Sequence, residues 1–279
     1  MGDVEYKADE IWTLEHVQAF WRTQELPWVG MPASVGVPNS GMSIWVFIAL
    51  SSLVPVDTPL PLTRTVELLG LCGLILLLGF VLYGVERRER EPWLWSVAFA
   101  AVNPFAVTFS RKIWPPDVLL PFTVIMLAGW WHRRRHWGGF LWGMFGAVLG
   151  QIQLVGFLFA AMFVLCTVVF DRRSVRWLTW FAGSVLGSLP MLPWLVELYM
   201  MLKGRIASTT AHSFAPGPHV MSADIGVILP KFVVYWLNLM LGSGLDYSLG
   251  DNYPAFLAFP LGTYLGGALV VSVIAIFAI

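Results

Sequence analysis

Seven apolar runs, separated by short polar breaks, restrict this chain to very few folds. They cover residues 65–84, 93–109, 116–131, 137–150, 154–170, 177–200 and 259–279. A helix rises about 1.5 Å per residue, so about 20 apolar residues cross a hydrocarbon core of about 30 Å. Some runs are shorter and draw on Trp-rich flanks or a thinner local bilayer. The polar break Gly150-Gln151-Ile152-Gln153 divides residues 137–170 into two helices. Charged residues are 12% of the chain, against roughly 25% in soluble domains. The expected fold is therefore all-α, a polytopic transmembrane helical bundle. The 15 Trp and 19 Phe suit interfacial belts and lipid-facing helices. Cys72 and Cys166 sit inside apolar runs as small hydrophobes, with no disulfide or metal-ligand spacing. A net charge of zero gives no electrostatic reason to expect nucleic acid as a partner.

Orientation follows from arginine. Residues 86–90, 132–136 and 171–176 are short turns with three Arg each, nine of the 17 Lys and Arg residues. Two runs separate the first turn from the second, and two more separate the second from the third. All three therefore face one side, which the positive-inside rule makes cytoplasmic. The intervening segments face outward, including residues 110–117 and the Gly/Pro/Ser-rich stretch 201–258. Within that stretch, residues 231–241 have the composition of an interfacial amphipathic helix.

The expected organisation has four parts. Residues 1–64 form a first external loop with amphipathic, interfacial helices and an acidic motif. Residues 65–200 form the core bundle of about six spans. Residues 201–258 are a long external loop, and 259–279 a further span that ends within an apolar run. Residues 11–21 carry apolar side chains at 11, 14, 17, 20 and 21, a helical spacing. Residues 42–56 are apolar but short for a span, and read as a re-entrant or surface helix. On that reading Asp9-Glu10 and Asp117 lie on the same face.

Those acids suit sugar transfer from a polyprenyl phosphate. A carboxylate must orient or deprotonate the acceptor hydroxyl. A cation must offset charge on the leaving phosphate. Both must sit at the membrane surface, because the donor's lipid tail stays in the bilayer. Asp9, Glu10 and Asp117 supply carboxylates; Arg111 and Lys112 supply positive charge shortly before Asp117, in a loop fixed by Pro115-Pro116. Arg is the better bidentate phosphate ligand, and Lys acts as a point charge. Each residue also has a plain structural reading: acids favour helix N-termini, and basic side chains snorkel at interfaces. Further candidates for lining the site are His16, Gln151, Gln153, His212 and His219. Plain loop or turn roles account for these as well. Asn103-Pro104 reads as a kink.

The order of motifs is DE at 9–10, an amphipathic helix, SVGVPNSG, a short apolar helix, PLPLTRTVELLGL, then NPFAVTFSRKIWPPD. This order resembles the GT-C superfamily of polytopic glycosyltransferases, in the style of protein O-mannosyltransferases and the aminoarabinose transferase of lipid A. The resemblance covers roughly residues 3–200 and is carried by Asp9-Glu10, Thr63-Arg64, Ser110-Arg111 and Pro116-Asp117. It implies that Asp9 is a general base or divalent-metal ligand, supported by Glu10. It implies that Asp117 is a second acid of the site and that Arg111 contacts the donor phosphate. The implied partners are a polyprenyl-phosphate sugar donor, the bilayer, and a glycan, lipid or protein acceptor. The implied place is a prokaryotic plasma membrane, with the site on its external face. Such proteins have a transmembrane helix before the acidic motif and further spans after the region matched here, so the chain is expected to be part of a longer protein. The alternative is a non-catalytic polytopic protein: a transporter, flippase or assembly scaffold. Transporters, however, place ionisable groups near the midplane and often show repeated halves, and this chain has neither.

Overall fold

A computed structural model describes residues 8–32, 37–102 and 110–207. All belong to the first of the two units into which the chain divides, residues 1–216. His212, His219, the segment 231–241, the run 259–279 and Asn103-Pro104 lie outside the described residues.

The described residues are helical, with no strand among them beyond one isolated bridge, Val29 to Ser40. The helices are α1 (Ala8–Thr23), α2 (Met42–Ser51), α3 (Pro59–Gly84), α4 (Arg90–Val102), α5 (Leu119–Trp131), α6 (His136–Ile152), α7 (Val155–Phe170), α8 (Trp177–Ser188) and α9 (Leu192–Ala207). Short 3-10 turns precede α4, α5 and α8, and Leu189–Met191 joins α8 to α9. α3 starts at Pro59, a residue suited to the first helical turn. It therefore begins inside the segment expected as the first loop. α9 likewise runs on to Ala207, past the expected end at residue 200.

Among the described residues, two helices are long and apolar enough to cross a membrane: Pro59–Gly84, and Trp177–Met201 spanning α8 and α9. α3 alone is about 39 Å long. Its outer side chains Leu68, Leu71 and Ile75 are exposed, and Tyr83 is 90% exposed. α7 has Leu158, Met162, Leu165 and Val169 on the outside, and only Gly156 and Thr167 of that helix are buried.

α6 lies at the centre, packed against α2, α5, α7 and α8. Glycine sets its approach to α8. Gly139 and Gly143 of α6 abut residues 176–184, while Gly183 and Gly187 of α8 abut Phe140 and Met144; the glycines are four residues apart on each helix. A Cβ on Gly143 would sit 2.0 Å from the Trp180 carbonyl oxygen, and one on Gly183 2.0 Å from that of Phe140. Small residues at this spacing let backbones touch, the packing mode of helices in lipid. Trp142, Trp177 and Trp180 cluster beside this seam.

The bundle has two distinct ends. At one, the three arginine turns gather. Phe80 meets Trp93, Trp131 and His132, which joins the first turn to the second. Arg133 pairs with Asp171, which joins the second to the third. At the other end, α1 and α2 pack over the start of α3 and the end of α6. Their core is Leu14, Val17, Ile44, Phe47, Leu62, Val66, Ile113, Val118 and Ile152. α2 has ten residues and is about 15 Å long, half the thickness of a hydrocarbon core. α5 then carries the chain about 20 Å from this end to the arginine end. The helical stripe of α1 differs from the expected apolar one. Its buried residues are Glu10, Thr13, Leu14 and Val17, while Ile11 and Trp21 stay exposed.

Candidate functional site

Glu10 is 4% exposed, on the inner face of the first turn of α1, and Asp9 beside it is exposed. Successive helical residues are about 100° apart, so one of the two must point away from the protein. The inner one is Glu10. The Asp9 carbonyl accepts the Thr13 hydroxyl at 2.8 Å, a local contact that stitches the first turn.

Residues 110–118 arrive from the other side. Arg111 is exposed, Lys112 is buried, and Ile113 anchors the segment in the core. Pro115–Val118 is a 3-10 turn with proline in its first positions, and the Asp117 N–H donates to the Trp114 carbonyl at 2.9 Å. The turn delivers the Asp117 carboxyl inward, where Oδ2 is buried with no hydrogen-bond partner among the described residues. Burial pushes the Asp117 pKa up from 3.8 to about 9; the Lys112 ammonium opposes the shift, and the Glu10 charge adds to it. An ionised carboxylate shut away from water costs several kcal/mol, which taking up a proton avoids. Asp117 is thus a neutral acid at pH 7, within electrostatic reach of Glu10 and Lys112.

Two exposed guanidiniums lie near this group, joined through Glu67. Glu67, about two turns into α3, accepts Arg64 Nη1 at 2.7 Å and has Arg111 Nε at 3.7 Å. Both arginines are more than half exposed. Pairs this open contribute about 0–1 kcal/mol, so the pairs with Glu67 hold neither guanidinium strongly. Sequence reasoning ranked Asp9 ahead of Glu10 and left Glu67 outside the site. The i,i+3 spacing of Arg64 and Glu67 was the available signal.

The remaining candidates fall into different settings. His16 stacks on Trp12 at 3.7 Å, and its Nδ1 lies 2.8 Å from the Trp12 carbonyl oxygen, so the ring is engaged locally. Gln151 is buried at the end of α6. Its amide nitrogen donates to Gly187 O at 2.6 Å and to Ala147 O at 3.0 Å, while Oε1 has no partner among the described residues. Its backbone carbonyl accepts Ser40 Oγ at 2.9 Å. Gln153 is the residue at which α6 stops, in extended conformation. These two close the α6–α7 turn beneath residues 37–41, whose Pro38 carbonyl also accepts Trp194 Nε1 at 3.1 Å. Among the described residues no three His, Cys, Asp or Glu side chains converge to hold a metal ion. A divalent ion at Asp9 would therefore draw further ligands from substrate or from outside those residues.

The structure thus brings together Glu10, Lys112 and Asp117, with Arg64 and Arg111 nearby, at the end remote from the arginine turns. Such a set can hold or pass a proton and bind a phosphate. No protein-family model, no curated protein and no solved structure matches the chain.

Proposed function

We propose that this chain is a multi-pass integral membrane glycosyltransferase of the GT-C kind. It moves a sugar from a polyprenyl-phosphate donor to a lipid, glycan or protein acceptor. The observation that carries the reading is the buried Glu10, Lys112 and Asp117 group with two exposed guanidiniums nearby that share Glu67, on the end of the bundle opposite nine arginines. The apolar outer surfaces of α3, α7 and α8 support embedding in lipid, since soluble monomers rarely expose contiguous apolar patches of this kind. With the arginine turns cytoplasmic, the acidic end faces outward, at the external surface of a prokaryotic plasma membrane.

In this reading Arg64 and Arg111 take the donor phosphate, for which planar guanidiniums are suited. The acceptor oxygen attacks the anomeric carbon. The sugar–phosphate C–O bond breaks with its electron pair on the polyprenyl phosphate. The acceptor's proton passes to a carboxylate, Glu10 inside or Asp9 at the rim. Asp117, protonated, donates a hydrogen bond to the leaving phosphate. Direct displacement inverts the anomeric carbon.

The test uses membranes containing the full chain and short-chain polyprenyl-phosphate sugars, with release of polyprenyl phosphate as readout. Glu10→Gln, Asp117→Asn and Arg111→Gln should each lose at least 10-fold in transfer while the purified protein stays monodisperse. Transfer unchanged in all three would sink the enzyme reading in favour of a carrier or scaffold. Loss of transfer in EDTA, restored by a divalent ion, would assign a metal to the Asp9 rim. Single cysteines at Arg111 and Arg134, in a version lacking Cys72 and Cys166, should label from opposite sides of the membrane.

A further inference from the structure

We infer that the second and third arginine turns together form a binding site for the headgroup of an anionic phospholipid. The turns are one surface, not two. The Arg176 N–H donates to the Arg133 carbonyl at 3.2 Å, and Arg176 Nε donates to the Arg134 carbonyl at 3.3 Å. Arg133 crosses between them to Asp171 and lies 4.6 Å over the Trp130 ring. Asp171 is the sole acid in residues 132–136 and 171–176, and it is taken by Arg133 and by the Ser174 hydroxyl. Arg134, Arg135, Arg172, Arg173 and Arg176 remain, all exposed. Among the described residues none of the five enters an ion pair.

Two helices add to this charge. α6 starts after Arg135 and α8 after Arg176, and neither has an acidic residue in its first turn or a side-chain cap. Their positive ends, each equivalent to roughly half an elementary charge, therefore point at the same surface. The first arginine turn is built differently. Glu86, Glu89 and Glu91 balance Arg87, Arg88 and Arg90, and Arg90 Nε is committed to the Val85 carbonyl at 2.9 Å.

The ligand is a lipid and not a free phosphate because apolar side chains flank the arginines directly. Phe170, beside Asp171, is 85% exposed, and Leu178, two residues past Arg176, is 83% exposed. Trp137, beside the second turn, is also exposed, and aromatic rings concentrate at headgroup level. An acyl chain can lie on Phe170 and Leu178 while its phosphate meets the guanidiniums. Five arginines exceed what one phosphate neutralises, so a headgroup with two phosphates, one per turn, fits best. Basic pockets between membrane helices select such headgroups by this chemistry.

This inference rests on the membrane embedding proposed above and not on sugar transfer, so a failed transferase assay leaves it standing. The experiment takes the full chain, delipidated in detergent, and titrates it with tetraoleoyl cardiolipin, dioleoyl phosphatidylglycerol or dioleoyl phosphatidylcholine. Bound lipid is counted by native mass spectrometry. Cardiolipin should bind most tightly, then phosphatidylglycerol, with phosphatidylcholine weakest. The double variant Arg134→Gln/Arg172→Gln should bind cardiolipin roughly 10–30-fold more weakly, from the contribution of each basic side chain near an anionic headgroup. Arg87→Gln/Arg88→Gln should bind as the parent does. Equal binding of all three lipids, full binding by the first variant, or equal loss in the second would overturn the site. Inorganic pyrophosphate displacing cardiolipin at equal concentration would overturn the lipid assignment.

Discussion

Replacing Asp117 with asparagine should remove a pH dependence of stability that the parent protein carries. The native carboxyl titrates near 9 and the unfolded one near 3.8. Between those values the unfolded chain has released its proton and the native protein has kept it. The native state binds more protons, so stability is full below about pH 4, falls as pH rises, and levels off above about pH 9. Each unit of pH in that window removes about 1.4 kcal/mol. From pH 5 to pH 8 the loss is on the order of 4 kcal/mol, equivalent to about 8–16 °C in apparent Tm for a chain of this size. Asparagine is neutral at every pH and nearly the same shape. Its difference from the parent isolates this group and its coupling to Glu10 and Lys112, because titrations elsewhere cancel. The measurement is thermal unfolding of both purified proteins in detergent at pH 5, 6, 7 and 8. The prediction is that Asp117→Asn loses less stability over this range and is the more stable protein at pH 8. Equal losses in the two proteins would refute the reasoning: Asp117 would then be ionised in the native state and held by Lys112.

Three further predictions test the frame around the site. Gly183→Ala puts a methyl 2.0 Å from the Phe140 carbonyl, whereas a Cβ at Gly79 meets nothing within 4 Å; the first should cost about 1–3 kcal/mol, and Gly79→Ala should be neutral or stabilise by up to about 1 kcal/mol, checked by unfolding in detergent. Arg64→Gln should change stability by less than about 1 kcal/mol yet raise the KM for the phosphorylated donor about 10-fold; a large stability loss with KM unchanged would make this arginine structural. Gln151→Met removes the hydrogen bonds to Gly187 and Ala147 along with Oε1, which has no partner among the described residues, so the losses and the gain should leave a net cost of no more than about 1–2 kcal/mol; a loss above about 3 kcal/mol would reveal a bound partner for that oxygen.

The helices were legible because their cause is local. Apolar runs bounded by arginine turns predict helices over most of the described chain. The break at Gly150-Gln151-Ile152-Gln153 falls where α6 ends and α7 begins. The gathering of the arginine turns at one end also follows from counting runs between them. That Asp9-Glu10 and Asp117 share an end depended on residues 42–56 being too short to span, and α2 is shorter still. The faces of α1 were legible only in part. Apolar spacing pointed to positions 11, 14, 17, 20 and 21; the protein buries Leu14 and Val17 and packs Phe20 on the core, but it also buries Glu10 and Thr13 and leaves Ile11 and Trp21 outside. Hydrophobicity alone does not tell which side of a helix its neighbours cover, because that is set by tertiary packing.

What the sequence by itself determined is thus the all-α class, the order and limits of most helices, and which segments share an end. These follow from chain-local quantities: run length, rise per residue and the placement of arginine. Only the tertiary structure decided which of two adjacent acids enters the site. It also seated Lys112 inside and Arg111 outside, and drew Glu67 between two arginines. The protonated state of Asp117 belongs to the same class. It results from burial of the 115–118 turn against α2, α3 and α5 and from the Glu10 charge, contributed by a segment more than a hundred residues away in the chain. Desolvation is set by everything packed around a group, and no window of sequence contains that.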